Sequence, residues 1–297
     1  VIAVWDGGEP IPRLKRKEIV MKKVSRKFRI AVFMFFVSLM PFMVYAEDPP
    51  AVGDAAKADI GQSEGAKSFF SKTELQLHAD FNRHPQKDHI WTLTLEHYSV
   101  WKYGDNFFFM DSEGARGLKT SVDTVYFEYS PRISMDRVSG VKILPVSFLG
   151  DVYVAGSYNA GRSELGSTNE YIHDAFLYGI SFDFTFQPNF GFSNITFYVR
   201  NEHTQSPAYQ ITLTWGQPFD IGMLRFSFNG FADFWKDDQR YVFLTEPQLR
   251  LHLSSFVGKG HLLSDSVIGT EVEISKDFFG KDENWVINPT VFFAYTF

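Results

Sequence analysis

Residues 193–202 read SNITFYVRNE. Ile195, Phe197 and Val199 fall on one parity, and Thr196, Tyr198, Arg200 and Glu202 fall on the other. A period of two is the geometry of a β-strand, whose successive side chains leave opposite faces. The next stretch, AYQITLTW at 208–215, repeats the division, with Tyr209, Ile211, Leu213 and Trp215 against Gln210, Thr212 and Thr214. So does LYGISFDFTF at 177–186, where Ile180, Phe182, Phe184 and Phe186 oppose Ser181, Asp183 and Thr185. In EPQLRLHLSS at 246–255, Leu249, Leu251 and Leu253 oppose Gln248, Arg250 and His252. Each strand has one greasy face and one wet face.

A β-sandwich also alternates, but its apolar face packs a core about 10 Å thick and accepts mixed sizes. Here nearly every strand offers phenylalanine or leucine on its apolar parity. Composition agrees with that pattern: 17% of residues are aromatic, 32 of them phenylalanine, yet mean hydropathy is only −0.15. A wall that is apolar outside and polar inside gives both values at once, and the expected fold class is all-β, a transmembrane antiparallel β-barrel of about twelve strands. Turn residues divide the chain into segments near 73–81, 90–99, 105–112, 121–131, 147–158, 174–187, 192–203, 208–216, 221–235, 244–256, 265–276 and 286–297. The connection 132–146 is long for the periplasmic side and is expected either as a short helix or tucked into the lumen.

The chain closes on WVINPTVFFAYTF (285–297), where Val291, Phe293, Tyr295 and Phe297 share a parity. In a closing strand these four face lipid, with Tyr295 and Phe297 in the periplasmic aromatic girdle. The terminal phenylalanine resembles the signal by which the barrel assembly machinery recognises its clients.

Upstream, residues 22–46 begin with Lys22, Lys23, Arg26, Lys27 and Arg29, pass through an apolar run from Ile30 to Tyr45, and end at Ala46. The run is shorter than the ~20 residues of a membrane-spanning helix and contains Pro41, so it reads as a signal peptide. The expected organisation is an upstream extension at 1–20, a signal peptide at 21–46, a flexible periplasmic tether at 47–70 and an outer-membrane barrel at 71–297. Removing residues 1–46, which hold nine Lys/Arg and three Asp/Glu, moves the formal net charge from −6 to −12. So acidic a protein lacks the basic surface of a nucleic-acid binder. With no cysteine there is neither a disulfide nor a thiolate site.

The stretches YFEYSPRISMDRVSG (126–140), DVYVAGSYNAG (151–161) and SFNGFADFWKDD (227–238), with GDNFFFMD at 104–111, resemble the Tsx family of nucleoside-specific outer-membrane channels. The resemblance spans about Leu75 to Phe297 in patches. It implies a monomeric twelve-stranded barrel that passes nucleosides through a narrow pore. Links at the outer end look short, and the tether has no counterpart in the family.

Polar parity nominates the lumen. Acidic candidates are Glu128, Asp151, Asp183, Glu202, Asp233 and Glu246; basic ones are Arg132, Arg200, Arg225 and Arg250. Mixed signs suit uncharged polar solutes better than a one-signed ring would. Tyr126, Tyr153, Tyr198, Phe231 and Trp235 have the same parity and offer planes on which a base can stack, while Asn229 and Gln248 can bond ribose hydroxyls. The register at 105–111 is open, and either choice puts at least one of Phe107, Phe108 and Phe109 inside. The alternatives are a general or structural porin without nucleoside selectivity, in which these groups merely pair and fill the barrel, and a barrel-type enzyme. An enzyme needs a constellation, and His78, His97, His173, His203, His252 and His261 are scattered; no G-x-S-x-G occurs, and His84 and His89 flank a turn. No cofactor is expected. Lipid is an obligate partner, and a phage or colicin is an incidental one.

Overall fold

The computed structural model describes residues 70–81, 83, 89–115, 122–163, 170–185, 191–202, 206–237, 240–258, 260–278 and 285–297. The expected extension, signal peptide and tether lie outside the described residues, as does most of the 187–191 turn.

Strands β1 (Phe70–Asp80), β2 (Ile90–Trp101), β3 (Gly104–Ala115), β4 (Thr124–Ser134), β5 (Leu149–Ser163), β6 (Glu170–Phe184), β7 (Phe192–Glu202), β8 (Ala208–Ile221) and β9 (Leu224–Asp237) pair antiparallel, each with the next. β10 (Arg240–Thr245) and β11 (Gln248–His252) both pair with β9 and with β12 (Ser266–Lys276), so they are two halves of one strand interrupted at Glu246–Pro247. Pro247 has no N–H to give to the ladder, which accounts for the break without any change of parity. β13 (Trp285–Thr296) pairs with β12 on one side and β1 on the other, closing the wall. The result is the closed twelve-stranded antiparallel barrel expected from the sequence. Closure leaves no unpaired edge, which is what a hydrocarbon environment requires.

The periodicity behaves as the sequence dictates. On β7 and β8 the outward residues Phe197, Ile211 and Leu213 are exposed, whereas Thr196, Tyr198 and Gln210 are buried. Ile180, Ile268, Ile287, Val291 and Phe293 are also at least two-fifths exposed. So continuous an apolar exterior fits lipid and not water. Aromatic rings bracket it: Tyr103, Phe219, Phe226, Tyr295 and Phe297 near the end that holds the termini, and Trp91, Tyr158, Phe176, Phe234, Tyr241 and Trp285 near the distal end. Two such girdles are the interfacial pattern of membrane barrels.

The 132–146 connection becomes the short helix α1 (Met135–Ser139), after β4 has run three residues further than expected. Ser134 caps it, its Oγ accepting from the Arg137 N–H at 3.0 Å, and Gly140 ends it at φ 75°, a left-handed conformation that glycine takes without a Cβ clash. Val138, Val141 and Phe148 are exposed. At the β8–β9 turn Gly222 has φ 61° and ends β8 at Ile221, so that residue belongs to the preceding strand and not to the 221–235 segment.

Candidate functional site: the lumen

The strand residues singled out for the lumen have inward cross-strand partners, while Glu246 lies in the break between β10 and β11. Tyr126 and Glu128 on β4 lie opposite Asp111 and Phe109; Tyr153 on β5 and Asp183 on β6 lie opposite Ser181 and Asp151. Tyr198 and Arg200 on β7 face inward with Gln210 and Leu177, and Arg225, Asn229, Phe231, Asp233 and Trp235 alternate along β9. Arg250 on β11 pairs with Ser227. This fixes where they point and assigns none of them a ligand.

The structure groups them in tiers. Near the terminal end, Arg132 donates to Asp105 at 2.7 and 2.8 Å and to Asp183 at 2.6 Å, and its guanidinium lies 4.2 Å from the Tyr153 ring centroid. A planar fork held by two carboxylates and an aromatic face is a task that lysine cannot perform. Above it, Arg250 donates to Glu74 at 2.5 Å and to Gln248 at 2.8 Å; Glu74 also accepts from Gln76 at 2.9 Å and from the Thr296 hydroxyl at 3.1 Å.

At mid-height two walls face each other. Glu128 accepts from Ser130 and Asn159 at 3.0 Å and from Ser157 and Tyr126 at 3.3 Å. Across the lumen a polar chain runs from Arg200 to Gln210 at 2.9 Å, from Gln210 to Thr212 at 3.0 Å, and from Thr212 to Asp233 at 2.5 Å. Arg200 and Asp233 both act electrostatically on Tyr126 and Glu128. Arg225 stands apart from both walls near the terminal end, where its backbone N–H donates to Ser255 at 2.8 Å.

The open register at 105–111 resolves in favour of two rings. Phe107 pairs with Tyr98 across β2, and Phe109 pairs with Glu96 across β2 and Glu128 across β4, so both enter the lumen; Phe108 stacks outside on His97 at 5.3 Å. Phe107, Phe109 and Tyr126 form one strip, with centroids 6.0 and 5.6 Å apart. Among the described residues no cation stacks on that strip. Trp235 differs, because Arg200 covers its face at 5.0 Å, and Phe231 packs beside Trp235, Val242 and Leu244.

The lining holds both signs but carries more carboxylates than the sequence reading named. Glu74, Asp80, Glu96, Asp105, Asp111, Glu113, Glu271 and Glu273 also point inward, so carboxylates outnumber arginines among the described residues. The parity of β1, β3 and β12 holds this information. On β3 it is masked by Phe107-Phe108-Phe109, which puts an apolar group on both faces. Arg83, from the β1–β2 link, reaches in as a further cation, at 2.7 Å from Glu113 and 3.2 Å from Glu273.

The model of a family described as "Domain of unknown function (DUF5020)" matches residues 72–297. No curated protein matches the sequence. Similar solved structures include the KdgM porin in complex with disordered oligogalacturonate, at 8% identity over 76% of this chain and 99% of that one, with a TM-score of 0.42. They also include the NanC porin, at 8% identity over 75% and 98%, TM-score 0.44, and the Acinetobacter baumannii outer membrane protein Omp33, at 10% identity over 76% and 98%, TM-score 0.36.

Proposed function

The chain belongs to the DUF5020 family, a membership that assigns no activity, and from that premise we propose that it is an outer-membrane diffusion channel for small polar solutes, with nucleosides as its favoured class. The apolar belt with its two girdles supports the membrane location, and an even strand count puts both ends of the barrel wall on the same side, read here as the periplasmic one. The observation that carries the solute class is the strip of Phe107, Phe109 and Tyr126 beside Glu128 and Asn159, opposite Arg200 and Asp233. A base stacking on such rings gains about 1–3 kcal/mol largely independent of its identity. A ribose hydroxyl can replace the Ser157 or Tyr126 hydroxyl that Glu128 now accepts from at 3.3 Å. Shallow sites in series admit and release solute, whereas one deep site would trap it.

One observation favours a channel without nucleoside preference: the faces of Tyr153 and Trp235 are already covered by Arg132 and Arg200. Single channels in planar bilayers separate the two readings. Adenosine and uridine should interrupt the ion current at concentrations where hexoses and disaccharides, which bracket them in size, do not. Equal block by sugars and nucleosides would leave the general channel, and absence of any conductance would remove both.

A further inference from the structure

At the distal end Arg83 sits among many carboxylates of the described residues. Arg83 contacts Glu113 on β3, Glu273 on β12 and, at 3.5 Å, Asp80 on β1, spanning strands that β2 and β13 separate along the wall. Around this ion lie three more carboxylates. Asp111 is bonded to Thr94 at 2.5 Å; Glu271 accepts from Gln248 at 2.6 Å and lies 3.6 Å from His78 Nδ1; Glu246 is within electrostatic reach of Glu271, Glu273, Asp111 and Arg83. One guanidinium does not balance that charge, and water is largely excluded: Asp80 and Glu273 are 3% and 5% exposed.

A second observation points to an occupant. The hydroxyls of Thr92 and Thr290 are buried without a hydrogen-bond partner among the described residues. Thr92 lies opposite Glu113 and His78, and Thr290 opposite Asp80 and Glu271, so both face the carboxylates. An unmet buried hydroxyl is destabilising, and the site has two. Their oxygens are two more acceptors for a donor-rich ligand.

We propose that the carboxylates surrounding Arg83, with the Thr92 and Thr290 hydroxyls, form a binding subsite for small organic cations bearing guanidinium or ammonium groups, and that Arg83 is its tethered competitor. The class follows from geometry. The site already holds a guanidinium, and among the described residues no three His, Asp or Glu side chains stand as a metal centre would need. A many-donor cation can take several carboxylate oxygens and both hydroxyls at once. The subsite is separate from the mid-height strip and does not depend on nucleosides or on conduction.

Agmatine, which has one guanidinium and one ammonium group, is the probe, titrated against the full-length folded protein in detergent at constant ionic strength. Wild type should bind it, and Arg83→Gln, which removes the internal occupant, should bind about tenfold more tightly, since apparent affinity scales with the fraction of sites open. Glu273→Gln or Thr290→Val in the Arg83→Gln background should reverse that gain. Thr92→Val in an otherwise wild-type chain nearly preserves shape and provides the same test should Arg83→Gln fold poorly; it should weaken binding. Unchanged affinity in Arg83→Gln, or in either threonine variant, would overturn the proposal, as would sodium competing as well as agmatine. A bilayer without current would sink the channel reading and leave this one intact.

Discussion

Phe297 and Thr73 exchange two backbone hydrogen bonds: the Phe297 N–H donates to Thr73 O at 2.9 Å, and the Thr73 N–H donates to Phe297 O at 3.4 Å. The last residue is therefore a rung of the closing ladder as well as a girdle ring, stacked on Tyr295 at 6.4 Å. Deleting Phe297 removes both roles, whereas Phe297→Ala keeps the rung. The deletion should reduce the heat-modifiable folded band on gels more than the substitution does. Equal yields for the two variants would assign the whole effect to the ring, and normal yield for both would make the ending incidental.

Arg132 bridges the Asp105 and Asp183 side chains in the tier near the termini. Arg132→Ala leaves two inward carboxylates facing each other and should destabilise the barrel by about 3–5 kcal/mol, the range for breaking a buried pair. Adding Asp105→Asn and Asp183→Asn should recover a good part of that loss in urea unfolding from lipid vesicles. A triple variant as unstable as Arg132→Ala alone would show that packing against Tyr153, and not charge, is what the guanidinium supplies.

The uncovered and the covered aromatics should respond in opposite ways. Phe109→Ala removes part of the open strip and should weaken nucleoside block about tenfold, the equivalent of losing one stacked base. Arg200→Gln uncovers Trp235 and should strengthen that block. Single-channel recordings of both variants, with current amplitude as a control for pore width, test the pair together. No change in either would return these rings to barrel filling.

Processing gives a fourth expectation. If residues 21–46 are a signal peptide, terminal sequencing of protein recovered from the outer membrane should begin at Glu47. Retention of Met21 would defeat it.

Alternation alone made most of the wall legible. Strands such as SNITFYVRNE and AYQITLTW state their register because one parity is mostly apolar and the other mostly polar. The single strand comprising β10 and β11 was readable as a segment, though its length and its interruption at Glu246–Pro247 were not. The lumen was half legible. Residues of β9 show their parity through Leu224, Phe226 and Phe228, so Phe231, Asp233 and Trp235 could be positioned before any coordinates. Phe107 to Phe109 hide theirs, and with it the inward run of Asp105, Asp111 and Glu113. Which carboxylate meets which arginine is beyond a strand-by-strand reading. Glu74 and Arg250 are 176 positions apart, and Arg83 joins strands that are not wall neighbours. The covering of Trp235 by Arg200 depends on the same long-range geometry.

Glu74 has a consequence for the order of events in assembly. It collects Arg250 from β11, Gln76 from its own strand and the Thr296 hydroxyl from β13. Until β13 zips against β1, that carboxylate has neither its hydroxyl nor a fixed route to its arginine. A half-closed sheet thus leaves Glu74 with only Lys72 and Gln76 of its own strand, at 3.3 and 2.9 Å, at the seam where hydrocarbon would otherwise enter. Sealing the wall and neutralising the interior are one step in time, so a chain stalled short of its last strand should be the species that proteases find.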